Sequence, residues 1–304
     1  MGLNVSKKVS LTAALWAVLA LAAPGAAWAQ AGGTLDKVKS SGQITLAYRE
    51  SSIPFSYLDD KAQPTGFGHE ICLKIVDEVK KATARPDLKV NLQAVTSANR
   101  IPLLVNGTID IECGSTTNNS ERGKQVQFAI NYFYTGTRFL VKAGTQVGKI
   151  EDLKGKTIVS TTGTTNFKIL RQLNEEKKLG MELLGAKDHA ESALMVESGR
   201  AVAFGMDDIL LYGLRASSQN PASLAVVGEP IQVEPYAIML RKDDPAFKKL
   251  VDDTLAGLMK SGEFTKLYAK WFQSPIPPKG INLNAPMSPE LADNLKALSD
   301  KPAT

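Results

Sequence analysis

The sequence predicts an α/β protein with a largely parallel sheet, and three observations carry that reading. Short apolar or alternating runs at 43–48, 88–95 and 109–113 are each followed by a polar loop. Segments of helical period lie between them, as at 66–81, where Ile71, Ile75, Val76 and Val79 fall on one inward face. The same order of strand, loop and helix then starts again near Leu153. Strands alternating with helices build parallel βα units, and two such cycles predict two βα sets.

In chain order, a short helix around 35–39 precedes the strand at 43–48, which opens into the loop Arg49-Glu50-Ser51-Ser52-Ile53-Pro54. The helix at 66–81 and the strand at 88–95 follow, then a short helix at 100–105 stopped by Asn106-Gly107. The strand at 109–113 opens into Gly114-Ser115-Thr116-Thr117-Asn118-Asn119. Leu153-Lys154-Gly155-Lys156 leads into the second cycle, a strand at 157–160 and the loop Thr161-Thr162-Gly163-Thr164-Thr165. A helix at 166–178, a strand at 182–184, a helix at 190–198 and a strand at 201–206 ending in Asp207-Asp208 continue it. Strands at 224–227 and 236–240, helices at 245–260 and 263–271, and the extended Ser274-Pro275-Ile276-Pro277-Pro278 come next. The tail adds a helix at 289–298, expected to pack back on the first set.

The first thirty residues read as an export leader. Lys7 and Lys8 precede an apolar run at 11–23, Pro24-Gly25 breaks any helix, and Ala27-Trp28-Ala29 supplies small residues for cleavage. The expected signal peptide is 1–29, with the mature chain starting at Gln30. An uncleaved anchor is the rival, but the apolar run is short for a membrane span and meets Pro24. Without a cysteine near the cleavage site the leader is not that of a lipoprotein, and the destination implied is the periplasm of a Gram-negative bacterium. The formal charge of the whole chain is +5, of which the leader holds two, and Lys and Arg are scattered without a block. That excludes a nucleic-acid footprint and suits a small anionic ligand.

Two cysteines and two histidines, Cys72, Cys113, His69 and His189, are too few and too far apart in sequence for a metal site, and no cofactor is expected. Cys72 lies early in a helix and Cys113 ends an apolar strand. An oxidising compartment allows a disulfide between them, but the reading favours two ordinary buried thiols.

Polar residues of one kind recur after the strands: Arg49 after the first, Ser97 and Arg100 after the second, and Ser115, Thr117 and Arg122 after the third. Open α/β sheets bind ligands at these carboxyl ends, and guanidinium forks match carboxylates. The loop through Thr164 and Thr165 opens a helix, whose free N–H groups suit an anion. Asp207 offers the opposite charge, for an ammonium. Each has a plainer alternative. Single Arg and Ser residues in loops are usually solvated, and Asp207-Asp208 reads as a helix cap for at least one of the pair. His189 by itself reads as a surface or capping residue, and Phe55-Ser56-Tyr57 as core and rim packing.

From about residue 34 to 278 the chain resembles the periplasmic glutamate/aspartate-binding proteins of ABC transporters. The most specific stretches are Arg49 to Tyr57, Thr96-Ser97-Ala98-Asn99-Arg100-Ile101-Pro102 and Glu112 to Asn119. Gly163-Thr164-Thr165, Ala186-Lys187-Asp188-His189 and Ser198 to Phe204 extend the resemblance through the second set. The match departs from the usual pattern at Phe67-Gly68-His69-Glu70, where relatives often carry Tyr, Ser and Asp, and at Ala98, where Gln is common.

The resemblance implies a type II periplasmic-binding fold, two α/β lobes joined by two hinge crossovers. Lobe 1 would hold 34–138 and 236–304 and lobe 2 would hold 139–235, with crossovers near Thr137-Arg138 and Val233-Glu234. It implies that Arg122 pairs with a ligand α-carboxylate, helped by Ser115, Thr117 and Thr165. Asp207 would take the α-ammonium with acceptors near Ser115 and Thr117, and Arg49, Ser97, Arg100 and His189 would surround a side-chain carboxylate. The implied partners are L-glutamate or L-aspartate and a membrane permease, with the protein acting as a monomer and doing no chemistry of its own. Two alternatives share the fold: a periplasmic cyclohexadienyl-type dehydratase, which needs a poised general acid or base, and a chemosensory receptor for dicarboxylic amino acids.

Overall fold

The structure is a computed structural model that describes residue 2 and residues 32–303, so the leader predicted over 1–29, Gly2 apart, lies outside the described residues. Among the described residues no helix is long and apolar enough to cross a membrane.

Helix α1 (Thr34–Ser41) stops at Gly42, which adopts the left-handed conformation at φ 67°. Strand β1 (Gln43–Tyr48) leads into three short strands, β2 (Ser51–Ser52), β3 (Ser56–Leu58) and β4 (Pro64–Thr65), which form a small antiparallel sheet of their own. The loop expected after β1 therefore carries a hairpin, to which Arg49 N is tied by donating to Ser56 Oγ at 2.8 Å. Helix α2 (Phe67–Thr83) buries Ile71, Ile75, Val76 and Val79 as its period requires. Then come β5 (Lys89–Ala94), α3 (Arg100–Val105), β6 (Ile111–Glu112) and the long β7 (Val126–Lys142). The second cycle comprises β8 (Thr157–Thr161), α4 (Thr165–Glu176), β9 (Glu182–Ala186), α5 (His189–Glu197), β10 (Ala203–Asp207) and α6 (Asp208–Ser217). Strands β11 (Leu224–Val227) and β12 (Val233–Arg241) and helices α7 (Pro245–Lys260), α8 (Glu263–Phe272) and α9 (Pro289–Ala297) complete the chain.

The strands run in the order β5-β1-β6-β12-β7-β10-β8-β9, with β11 on β7. The outer pairings β1·β5, β1·β6, β8·β9 and β8·β10 are parallel, as predicted. The central ones are not: β12 is antiparallel to β6 and β7, and β7 is antiparallel to β10 and β11. The reason is β7, for which no strand is predicted. It pairs with β12 over Val126 to Gly136 and with β10 over Thr137 to Val141, so one strand runs from one βα set into the other. Buried along almost its whole length, it lacks the alternation that marks a half-exposed strand.

The core of the first set is aromatic. Phe55 is buried with its ring 4.9 Å from Phe133 and 5.2 Å from Tyr236, both edge to face, and Phe67 and Phe272 complete the shell. The tail folds back on this set. Asn118, Asn131 and Asn294 hold it, with Asn118 Nδ2 donating to Asp300 O at 2.8 Å and Asn131 Nδ2 to Lys301 O at 2.8 Å. Ala303 bridges to Asn119, so the tail braces the loop leading to Arg122.

The two cysteines are joined, against the reading as separate thiols. The first turns of α2 pack over the end of β6, bringing the Cα atoms of Cys72 and Cys113 to 5.9 Å and allowing the disulfide. It closes a loop spanning 41 residues. The double substitution Cys72→Ser/Cys113→Ser is expected to lower the unfolding free energy by about 2–4 kcal/mol in non-reducing buffer. Urea titration with and without a reductant checks this, since the reductant should shift only the parent protein.

Candidate functional site

Ten residues singled out by sequence all lie at the carboxyl ends of strands or the starts of the helices that follow. Arg49 follows β1, Ser97 follows β5, Arg100 opens α3, and Ser115, Thr117 and Arg122 follow β6. From the second set come Thr164 and Thr165 after β8, His189 opening α5 after β9, and Asp207 ending β10. All ten are buried, and Arg49 and Arg100 are among the largest fully buried side chains of the protein. They line one seam where the two sets meet.

At one end of the seam Arg49 Nη2 donates to Ser97 Oγ at 2.9 Å and lies 3.2 Å from His189 Nε2. A chain of hydroxyls settles the imidazole. Ser192 Oγ donates to Asp188 O at 2.9 Å, so it accepts from Thr161 Oγ1, also at 2.9 Å. The single hydrogen of Thr161 is then used, so its oxygen accepts from His189 Nδ1 at 2.9 Å, and Nε2 is left as the acceptor for Arg49. Burial, then the charges of Arg49 and Arg100, hold His189 well below the ordinary imidazole range, which keeps the ring neutral. His189 is thus neither a surface residue nor a cap. The cap of α5 is Asp188, whose side chain accepts from Glu191 N. His189 meets Arg49 with a lone pair, so its influence on a carboxylate runs through that guanidinium.

Arg100 lies beside this cluster. Its Nη1 donates to Ser115 O at 3.1 Å and to Thr116 Oγ1 at 2.6 Å, and Thr116 in turn donates to the carboxylate of Glu112. Two guanidinium atoms, Arg49 Nη1 and Arg100 Nε, are buried with no acceptor from the protein. Such N–H groups carry a substantial desolvation penalty until an acceptor meets them, and a carboxylate is the strongest available. Burial lowers the pKa of Arg49 to about 9, with the charge of Arg100 adding to the effect, so both groups press for an anion.

At the other end Arg122 Nη1 donates to Thr117 O at 3.0 Å and Nη2 to Gly163 O at 3.2 Å, across the seam. Gly163 is required there. Its φ is +79°, and a Cβ would lie 2.5 Å from Ala98 Cα of the opposite set. Thr164 caps α4, accepting from Phe167 N and donating to Thr161 O, so its hydroxyl is committed. What this corner can offer an anion is Arg122 together with the first N–H groups of α4. Ser115 Oγ bonds Ser52 Oγ at 3.2 Å, linking the corner to the hairpin.

Asp207 lies between the two ends. Asn166 Nδ2 donates to its Oδ1 at 2.9 Å and the Tyr236 hydroxyl to its Oδ2. It occupies the N-cap position of α6 but makes no cap bond, and the Ile209 N–H goes to Asp208 Oδ1 instead. Burial, with Glu234 nearby, pushes Asp207 up to about 7. A cation beside it would reverse that shift.

Sequence reasoning missed Glu112, Thr116, Thr161, Asn166, Glu234 and Tyr236. Glu112 carried a signal, a carboxylate inside the strand run Ile109-Asp110-Ile111-Glu112-Cys113. The hydroxyls and Tyr236 carried none, because Thr and Tyr are ordinary strand residues. None of the three guanidiniums makes a salt bridge among the described residues, and their neighbours Glu112, Asp207 and Glu234 are held instead by hydroxyls and an amide.

The profile of the bacterial extracellular solute-binding proteins, family 3, matches residues 44–274. The chain is 52% identical over 272 residues to the L-glutamate/L-aspartate-binding protein of Pseudomonas aeruginosa, covering 89% of this chain and 90% of that one. It is 51% identical over 272 residues to the glutamate/aspartate import solute-binding protein of Escherichia coli K12, covering 90% and 89%. A mutant of ArgBP from T. maritima matches with TM-score 0.71 at 25% identity, over 79% of this chain and 99% of that one.

Asp207 makes the stability of the free protein depend on pH. Its folded value of about 7 stands above the ordinary 3.8, so between these pH values the folded chain holds a proton that the unfolded chain has lost. Stability from this group therefore rises as pH falls from about 7 towards 4, and the penalty is complete above 7. Asp207→Asn is expected to be more stable than the parent at pH 8 by on the order of 1–3 kcal/mol, with the gap closing near pH 4. Urea unfolding across that range checks it; parallel stability curves for the two proteins would show that Asp207 ionises normally.

Proposed function

Since this chain belongs to the bacterial extracellular solute-binding proteins, family 3, we propose that it captures L-glutamate or L-aspartate in the periplasm and delivers it to the permease of an ABC importer. The observation that carries the reading is the spacing of charge along the seam. Buried guanidiniums stand at both ends, Arg49 and Arg100 at one and Arg122 at the other, with the acceptor Asp207 between them. A dicarboxylic amino acid has the matching order of groups. Its α-carboxylate goes to Arg122 and the start of α4, its ammonium to Asp207 and the oxygens near Ser115 and Thr117. Its side-chain carboxylate goes to Arg49 and Arg100, with Ser97 and His189 orienting Arg49. Glutamine would offer a neutral carbonyl oxygen and a donating NH2 in place of two charged oxygens, a poorer match to the unpartnered Arg49 Nη1 and Arg100 Nε, which disfavours it. The names of the relatives agree, and they are names of binding proteins rather than enzymes.

The mechanism is closure about two crossovers, near Thr137-Arg138 on β7 and Val233-Glu234 on β12. The moving bodies are 34–138 with 236–304, and 139–235. The protein acts as a monomer, exported by the leader over 1–29. The ligand joins contacts that already cross the seam, Arg49 to His189 and Arg122 to Gly163, and excluding water strengthens each of them. Sub-micromolar affinity needs only about −8 to −10 kcal/mol net.

Calorimetry with glutamate, aspartate, glutamine and arginine tests the ligand class. Glutamate or aspartate is expected to bind tightest, and tighter binding of glutamine or arginine would sink the proposal. Arg100→Ala removes a buried guanidinium of the side-chain corner and is expected to cost about 3–5 kcal/mol of glutamate affinity. An Arg100→Ala protein that binds glutamate normally would overturn the side-chain assignment.

A further inference from the structure

Glu234 stands at the second proposed crossover, and its side chain has no part in the ligand contacts assigned above, yet its carboxylate joins the two sides of the seam. It lies on β12, paired in register with Thr135 of β7, and is buried. Its Oε2 accepts from Thr165 Oγ1 at 2.6 Å and from Thr117 Oγ1 at 3.2 Å. These two hydroxyl oxygens come from opposite sides and stand 3.4 Å apart. Oε1 accepts from Gln232 Nε2 at 3.4 Å, a weaker contact.

The inventory of hydrogens decides what these groups can do. A hydroxyl has one hydrogen and two lone pairs, and a carboxylate only accepts. Thr165 therefore gives its hydrogen to Glu234. Thr117 has two oxygens in reach, and the carboxylate is both nearer and, as a charged acceptor, the stronger. With both hydrogens directed at Glu234, each threonine oxygen has only lone pairs left for anything else in the seam. Asp207, ionised beside an ammonium and with its Oδ1 and Oδ2 already accepting, likewise has only acceptor capacity to offer.

We infer that Glu234 is a positioning residue: it holds the Thr117 and Thr165 hydroxyls as acceptors, which makes this part of the seam select a ligand bearing an α-ammonium over the same dicarboxylate without one. The inference rests on the amino-acid reading proposed above and deepens it. Asp207 supplies the charge nearest the ammonium, while Glu234, whose charge also reaches Asp207, fixes the direction of two neutral groups. A des-amino dicarboxylate would face lone pairs with nothing to donate to them. Glutamine at position 234 has the shape of glutamate but carries an amide that donates. Its NH2 group can turn to the two hydroxyls, which frees their hydrogens to point into the seam and converts acceptors into donors.

The experiment compares glutamate with glutarate, which has the same two carboxylates and no amino group, by calorimetry on the full protein. In Glu234→Gln the preference for glutamate over glutarate is expected to narrow on the order of 10-fold to 100-fold, the range for a hydrogen bond to a charged group. A merely structural role would weaken both ligands alike, so an equal change in both, or no change in either, overturns the inference. Thr117→Val removes one oriented acceptor while leaving Glu234 in place, and the same preference is expected to narrow by about 10-fold; an unchanged preference there overturns the inference as well. Asp207→Asn separates the underlying reading. If it leaves the preference for glutamate intact, no ammonium sits at this point and the amino-acid assignment fails. If it abolishes the preference while Glu234→Gln and Thr117→Val do not alter it, that assignment stands and only the role of Glu234 falls.

Discussion

Three guanidiniums buried in one seam set the terms for everything around them. Taking such a group from water is costly unless it is hydrogen-bonded, and here its partners in the protein are chiefly neutral. Arg49 meets Ser97 and the imidazole of His189, Arg100 meets Ser115 O and Thr116, and Arg122 meets Thr117 O and Gly163 O. The carboxylates that would balance them stand one group further off. Thr116 separates Arg100 from Glu112, and Glu234 is held by the hydroxyls of Thr117 and Thr165. Direct Arg–carboxylate pairs within the protein would satisfy the guanidiniums and close them to a ligand. Placing hydroxyls between the charges lowers the energy of burial while leaving donors free for an incoming anion.

That arrangement depends on the strand that passes between the sets, β7, and on its partner β12. Because β7 runs on from one set into the other and β12 pairs with its first half, the carboxyl ends of both groups of parallel strands face a common seam. Glu234 rides on one of these strands, and Thr137, which accepts from Asn166, on the other. Movement of one set against the other therefore acts on residues directly bonded to the site. The close approach is backbone against backbone. Gly163 lies over Ala98, and a Cβ on Gly213 would meet Ile53 O at 2.5 Å. The tail adds rigidity on one side only, through the three asparagines that tie residues 299–303 beside the loop of Thr117 and Arg122. The first set, stiffened by an aromatic core, a disulfide and this tail, presents all three guanidiniums already in place, which lowers the ordering cost of binding.

The order of most strands and helices, the inward face of α2, the packing role of Phe55 and the ten polar residues at strand ends were legible in the sequence. Period and the position of turn residues are local properties, and side chains at strand ends follow from chain order alone. Local pattern was silent where burial is uniform or where the partner is remote. The long strand β7 has no alternation because both its faces are covered. The pairing of Cys72 with Cys113 depends on how α2 sits on β6, and the antiparallel centre of the sheet depends on which strands meet. Unlike Glu112, Glu234 and Tyr236 give no signal until the seam brings them to Thr165 and Asp207. By itself, then, the sequence determined which chemical groups stand at the strand ends. Only the tertiary structure decided which of them share a hydrogen, because the direction of a hydroxyl and the tautomer of His189 are set by partners 28 to 117 residues away.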